Sequence, residues 1–157
     1  MAETSLVIFV NLLKCLFAFY SLYYIVSSIC YGAFRLHNFD GKIPFNFAAW
    51  VDYSKCCQSY SKEQIVNVIS MEVTFFLTSW AFVIFLRTRF WDYAITVTSI
   101  HFTMSCIVML DFPLNWSWWA SLVIGMLMMM TIGEVFCYLC YELRPMKSRV
   151  DPTNEVT

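Results

Sequence analysis

Apolar residues fall in four long stretches, about Ser5 to Ala33, Gln64 to Leu86, Trp91 to Leu110 and Leu114 to Tyr141, with polar residues gathered between and after them. Each stretch reaches or exceeds the ~20 residues that cross a bilayer as a helix. In hydrocarbon every backbone amide must be satisfied within its own segment, so such runs predict helices. Pro44, Pro113, Pro145 and Pro152 are assigned to loops or tails. Phe112-Pro113-Leu114-Asn115 predicts a tight turn between the third and fourth helices, because proline fixes its own φ and biases its predecessor away from helix. The first stretch is too long for the ~7–15 residue core of a signal peptide and has no basic start, so it reads as a retained span.

The pattern predicts an all-α fold, a polytopic membrane protein with one four-transmembrane-helix bundle over residues 1–143. A loop at 34–63 carries Phe39, Phe45, Phe47, Trp50, Tyr53 and Tyr60, which predict that it lies along the membrane interface. Residues 144–157 are expected to form a flexible polar tail. Composition agrees: 60% of the 157 residues are apolar, 13% are charged, and the mean hydropathy is +0.63. The net charge of −1 gives no footing for a nucleic-acid partner, and membrane lipid is the expected surrounding.

Charge decides the predicted orientation. Arg87 and Arg89 join the second and third stretches, and Arg144, Lys147 and Arg149 follow the fourth, against Arg35, Lys42, Lys55 and Lys62 in the 34–63 loop. Five basic residues against four predict both termini in the cytosol and the loop in the lumen.

The seven cysteines lie mostly in apolar runs, where a thiol acts as a small hydrophobe. Cys56 and Cys57 are adjacent, a spacing at which cysteines rarely bridge each other. Cys137-x-x-Cys140 has no second ligand pair, so no metal or other cofactor is expected. Asn115-Trp116-Ser117 matches an N-glycosylation pattern but is squeezed against the membrane, and is expected to stay unmodified. No nucleophile with a base and an orienting acid, no phosphate-cradling glycine loop and no solvated carboxylate pair is present, so no catalytic residue is expected.

Lys14, Glu72, His101 and Glu134 place one ionisable group in each stretch. A charge at a helix centre costs about 2.5–3.5 kcal/mol on insertion scales, so such groups tend to face the interior and find partners. Lys14 and Glu134 are expected at matching depth, and a Glu72–His101 hydrogen bond requires their helices to cross closely. One reading is a proton or ion path or a ligand pocket, as in a small transporter or channel. The other, favoured, is a structural network that sets helix packing, since four helices leave little room for an alternating-access cavity. A structural subunit of a larger membrane complex is a further alternative.

From about Trp91 to Leu143 the order of features resembles the Sys family of Golgi four-span membrane proteins, which link to the trans-Golgi network. The residues that carry it are Trp91-Asp92-Tyr93-Ala94-Ile95-Thr96-Val97-Thr98, His101, Phe112-Pro113, Trp118-Trp119, Ile132-Gly133-Glu134 and Glu142-Leu143. Glu72-Val73-Thr74-Phe75-Phe76 and Val108-Met109-Leu110-Asp111-Phe112-Pro113-Leu114 resemble most closely the transmembrane protein 244 branch of that family. The resemblance implies a non-enzymatic Golgi protein in vesicle traffic, a receptor or scaffold for an ADP-ribosylation-factor-related small GTPase. Arg87 and Arg89 are then candidate contacts for that partner, and Asp92, Pro113, Trp118, Trp119 and Gly133 are family-motif positions.

Overall fold

The computed structural model describes residues 5–37, 39–48, 50–51, 60–86 and 90–147, with backbone alone for 137 and 140–147. Tyr53, Cys56, Cys57, Arg87 and Arg89 lie outside the described residues. Four α-helices, α1 (Ser5–Ala33), α2 (Lys62–Phe85), α3 (Phe90–Met109) and α4 (Trp116–Lys147), account for most of the chain, and a short 3-10 turn, Ile43–Phe45, sits between α1 and α2. Among the described residues there is no strand.

Three of these helices, α1, α2 and the Trp116–Phe136 part of α4, are long and apolar enough to cross a membrane. α3 has the length, but Asp92, His101 and five serine or threonine residues dilute its apolar character. The four apolar stretches therefore correspond to three helices of spanning character and a more polar fourth.

Local signals explain where the helices begin and end. Ser61 caps α2 in a reciprocal capping box, its side chain accepting from the Gln64 amide while the Gln64 side chain accepts from the Ser61 amide. Asn115 opens α4: its side-chain oxygen accepts from the Ser117 amide and its carbonyl accepts from the Trp118 amide. That use of the asparagine side chain, together with burial of Ser117, closes the glycosylation pattern within a helix cap. α1 ends in a Schellman-type turn, with Arg35 at φ 54° and the Leu36 amide donating to the Tyr31 carbonyl. Leu110 adopts φ 52° just past α3. α4 runs on to Lys147, past the expected end at 141, and Pro145 stands in its last turn instead of in a tail. No glycine follows Tyr141 to stop the helix earlier.

Contacts order the helices α1–α2–α4–α3 around a ring that closes through α3 and α1. The extensive seams are α1 with α2 and α2 with α4; α1 and α4, like α2 and α3, share at most marginal contact across the ring. Small residues allow the close seams, as membrane helices require in the absence of a hydrophobic drive between them. A Cβ on Gly125 of α4 would lie 2.5 Å from Cδ2 of Phe75 on α2, so the phenyl ring occupies the space that only glycine leaves. Between α1 and α2, Tyr31 donates a 3.3 Å hydrogen bond to Asn67, and the adjoining turns carry buried Ser27 and Ser70.

The described part of the 34–63 loop folds back onto the bundle. Ile43, Phe45, Phe47, Trp50 and Val51 are buried, whereas Phe39 and Tyr60 are exposed. The 3-10 turn packs on α3, α1 and α2 and plugs the loop end of the bundle. Pro44 suits its start, where no amide donor is needed. Tyr24 donates to the Gly41 carbonyl and Gln64 to the Trp50 carbonyl, pinning both sides of the fold-back.

Candidate functional site

His101 stands at the centre of the ring. α3 aims it inward with Thr98 and Ser105, which share its face at three- and four-residue spacing and are also buried. Both hydroxyls donate to backbone carbonyls one turn earlier, of Ala94 and His101 respectively, so neither calls on the imidazole. The ring of His101, 1% exposed, is enclosed by Phe19 at 5.3 Å, Tyr23 at 5.8 Å, Phe45 at 6.0 Å and Tyr20 at 6.1 Å between centroids. α1 supplies three of these aromatics and the plug supplies the fourth. Among the described residues neither Nδ1 nor Nε2 has a hydrogen-bond partner, and the Tyr20 hydroxyl is likewise buried and unpartnered.

Burying a hydrogen-bonding group without a partner costs about 1–3 kcal/mol, and sites that keep such groups call for an explanation. Edge-to-face contact between the imidazole and Phe19 offsets a part of it. Chemically the cage holds a donor, an acceptor and two phenols, of Tyr20 and Tyr23, in an apolar wall. It has neither a nucleophile nor an acid poised against the imidazole.

The other ionisable residues within the helices are dispersed. Glu72 is half-buried on α2. No hydrogen bond joins Glu72 to His101, because α2 and α3 stand across the ring from each other. Lys14 and Glu134 are both exposed, on α1 and α4, the other pair of opposed helices. The structure thus brings neither expected pair together.

Of the motif residues of the second half, Pro113, Trp118 and Trp119 build the turn between α3 and α4, while Asp92 and Gly133 lie at the other end of α3. Trp119 donates its indole N–H to the Pro113 carbonyl at 2.8 Å and packs on Phe102 and Phe112. Trp118, 2% exposed, fits between Phe102 and Phe47 of the plug. Gly133 is buried against Phe90, where an added Cβ would make ordinary contact at 3.5 Å. Asp92 is half-buried in the first turn of α3, a favourable place for a carboxylate, and its backbone carbonyl accepts from Thr96. On the outer face between α3 and α4, Ser99, Phe102, Thr103, Trp119, Leu122 and Met126 line a cleft of about 270 Å³.

Sequence reasoning did not find Phe19, Tyr20, Tyr23 and Phe45 as a cage. Three of them fall on one α1 face at three- and four-residue spacing, a signal that was present but is shared by lipid-facing aromatics. Phe45 carried no local signal, since its place depends on the loop folding back.

Comparison with known proteins gives two findings. Residues 6–147 match the model of the SYS1 family, described as an integral membrane protein linking to the trans-Golgi network. Human transmembrane protein 244 is 35% identical over 127 residues, covering 79% of this chain and 92% of the human protein. No solved structure matches the chain.

Proposed function

The chain belongs to the SYS1 family of Golgi integral membrane proteins, and from that premise we propose that it is a non-enzymatic membrane receptor or scaffold in vesicle traffic. In this reading four helices span the membrane, the termini and the α2–α3 link face the cytosol, and that side recruits an ADP-ribosylation-factor-related small GTPase.

One observation carries the reading. At the level of Gly133, α4 lies beside Phe90, the first residue of α3, yet it continues as helix to Lys147. At ~1.5 Å per residue, 14 further residues extend about 21 Å beyond the start of α3. A helical post at the end where Arg87, Arg89, Arg144 and Lys147 collect along the chain suits a docking element for a membrane-bound partner. The interior supports a scaffold over a conduit: among the described residues the His101 imidazole is closed in by aromatic rings and neither ring nitrogen has a hydrogen-bond partner.

The test is affinity capture from gently solubilised Golgi membranes with the small GTPases held in GTP-bound or GDP-bound form. Nucleotide-dependent retention of one such GTPase, weakened by the Arg87→Ala/Arg89→Ala variant at normal abundance and location, is the expected result. Capture that is independent of nucleotide, or unchanged in that variant, overturns the proposed contact.

A further inference from the structure

Lys14 and Glu134 share an environment that neither tolerates alone. Lys14 is exposed on α1 among exposed Val10, Leu13 and Phe17, and Glu134 is exposed on α4 beside exposed Val135 and Tyr138. These are the outward, apolar surfaces of helices that have the length and composition to lie in lipid. Charged groups on such surfaces are costly and as a rule find partners. Among the described residues neither makes an ion pair, and α1 contains no acidic residue while Trp116–Phe136 contains no basic one.

Their levels in the bundle are set by one shared contact. Phe75 packs on Phe19 of α1, with ring centroids 5.4 Å apart, and on Gly125 of α4, so these three positions define a common height. Lys14 lies five residues from Phe19 and Glu134 nine residues from Gly125, both toward the end that holds the α2–α3 link. The displacements are about 7.5 and 13.5 Å, leaving roughly 6 Å between the two Cα levels. Each side chain leans toward the N-terminus of its own helix. α1 and α4 run in opposite directions, so the lean carries the Lys14 ammonium and the Glu134 carboxylate toward each other in height. Because the two helices occupy opposed corners of the ring, the groups match in height without meeting inside one molecule.

We propose that Lys14 of one copy pairs with Glu134 of a second copy held in the same orientation, so that the protein self-associates in the membrane through α1 of one copy and α4 of the next. Opposite charge at matching height commits the face to a second copy, since every copy carries both halves of the pair and the membrane holds all copies the same way up. The contact is head-to-tail, as unlike surfaces meet. It needs no other protein, so its success or failure is independent of GTPase recruitment.

The test measures association of full-length, differently tagged copies in lipid vesicles by co-capture and single-molecule photobleaching step counts. Lys14→Glu alone and Glu134→Lys alone are expected to weaken self-association about 3- to 30-fold, the range of interhelical polar contacts in membranes. Mixing the two variants restores association between unlike copies, because each then presents the complement of the other. The Lys14→Glu/Glu134→Lys double variant restores it between like copies and also controls for folding. Lys14→Gln and Glu134→Gln, which introduce no repulsion, give the same loss in milder form. Monomeric wild type at every protein-to-lipid ratio, or single variants that associate as the wild type does, overturns the pairing. So does a mixture of the two variants that fails to associate while each remains monodisperse.

Discussion

His101 and Lys14 are both ionisable residues set well inside long helices, yet one is sealed among four aromatic rings and the other stands on the outer surface of α1. The sealed imidazole has given up its hydrogen bonds for packing; the outer residue has room for a partner and makes no ion pair among the described residues. A polar residue in a membrane helix thus serves in two different ways. Inside, its shape and ring contacts matter more than its charge. Outside, its charge matters more than its shape, because only another charge or the lipid headgroups relieve it.

The contrast predicts that substitutions inside the ring change stability, while those outside change association and leave stability nearly untouched. The largest effect belongs to Trp118, which joins the plug, α3 and α4 through Phe47 and Phe102. Trp118→Ala is expected to cost about 3–5 kcal/mol, the range for emptying a large aromatic site, read by reversible unfolding in bicelles. A loss under ~1 kcal/mol would mean that the plug does not depend on this ring. Next comes Gly125→Ala, whose new methyl would meet Phe75 at 2.5 Å and part α2 from α4. Overpacking of this kind costs about 1–3 kcal/mol. Combining it with Phe75→Leu should cost less than the sum of the single effects, since the two sites share one contact.

Helix positions were legible in the sequence because bilayer crossing imposes length and apolarity, whereas the caps at Ser61 and Asn115 emerged only from the structure. The turn at Pro113 was equally legible. The order of helices around the ring was not, because helices apolar on all sides give little indication of which face is inward. That gap separated Glu72 from His101: a hydrogen bond between them required α2 and α3 to cross closely, and the two helices instead stand opposed. Buried Ser70, Thr74, Thr98 and Ser105 were the better guide, since small hydroxylated residues favour helix seams. The fold-back of Phe45 and Trp50 was hidden for another reason: aromatic residues in a loop between spans signal an interfacial position just as well.

His101→Phe puts the sealed half of the comparison to a finer test. Phenylalanine keeps a flat ring for Phe19 and Tyr23 to pack on and removes two nitrogens that no protein group satisfies. If the cage is dry, the variant holds the wild-type stability within about 1 kcal/mol or gains slightly, because deleting unpartnered polar atoms removes a desolvation penalty. A loss above ~2 kcal/mol would instead reveal water joining the imidazole to the Tyr20 hydroxyl, and the interior would be a hydrated polar site.

The smallest effect is expected outside the ring. Glu134→Gln changes an exposed side chain that makes no ion pair among the described residues, so unfolding of the isolated copy should shift by no more than about 0.5 kcal/mol. The measurement belongs at protein-to-lipid ratios dilute enough to hold single copies, where association adds nothing to stability. If the same substitution destabilises the dilute protein by 1 kcal/mol or more, Glu134 is braced within its own molecule and the division between sealed and outward polar residues fails. If stability shifts only when copies are crowded, the effect rests in contacts between copies, where an outward charge at matching height with Lys14 would act.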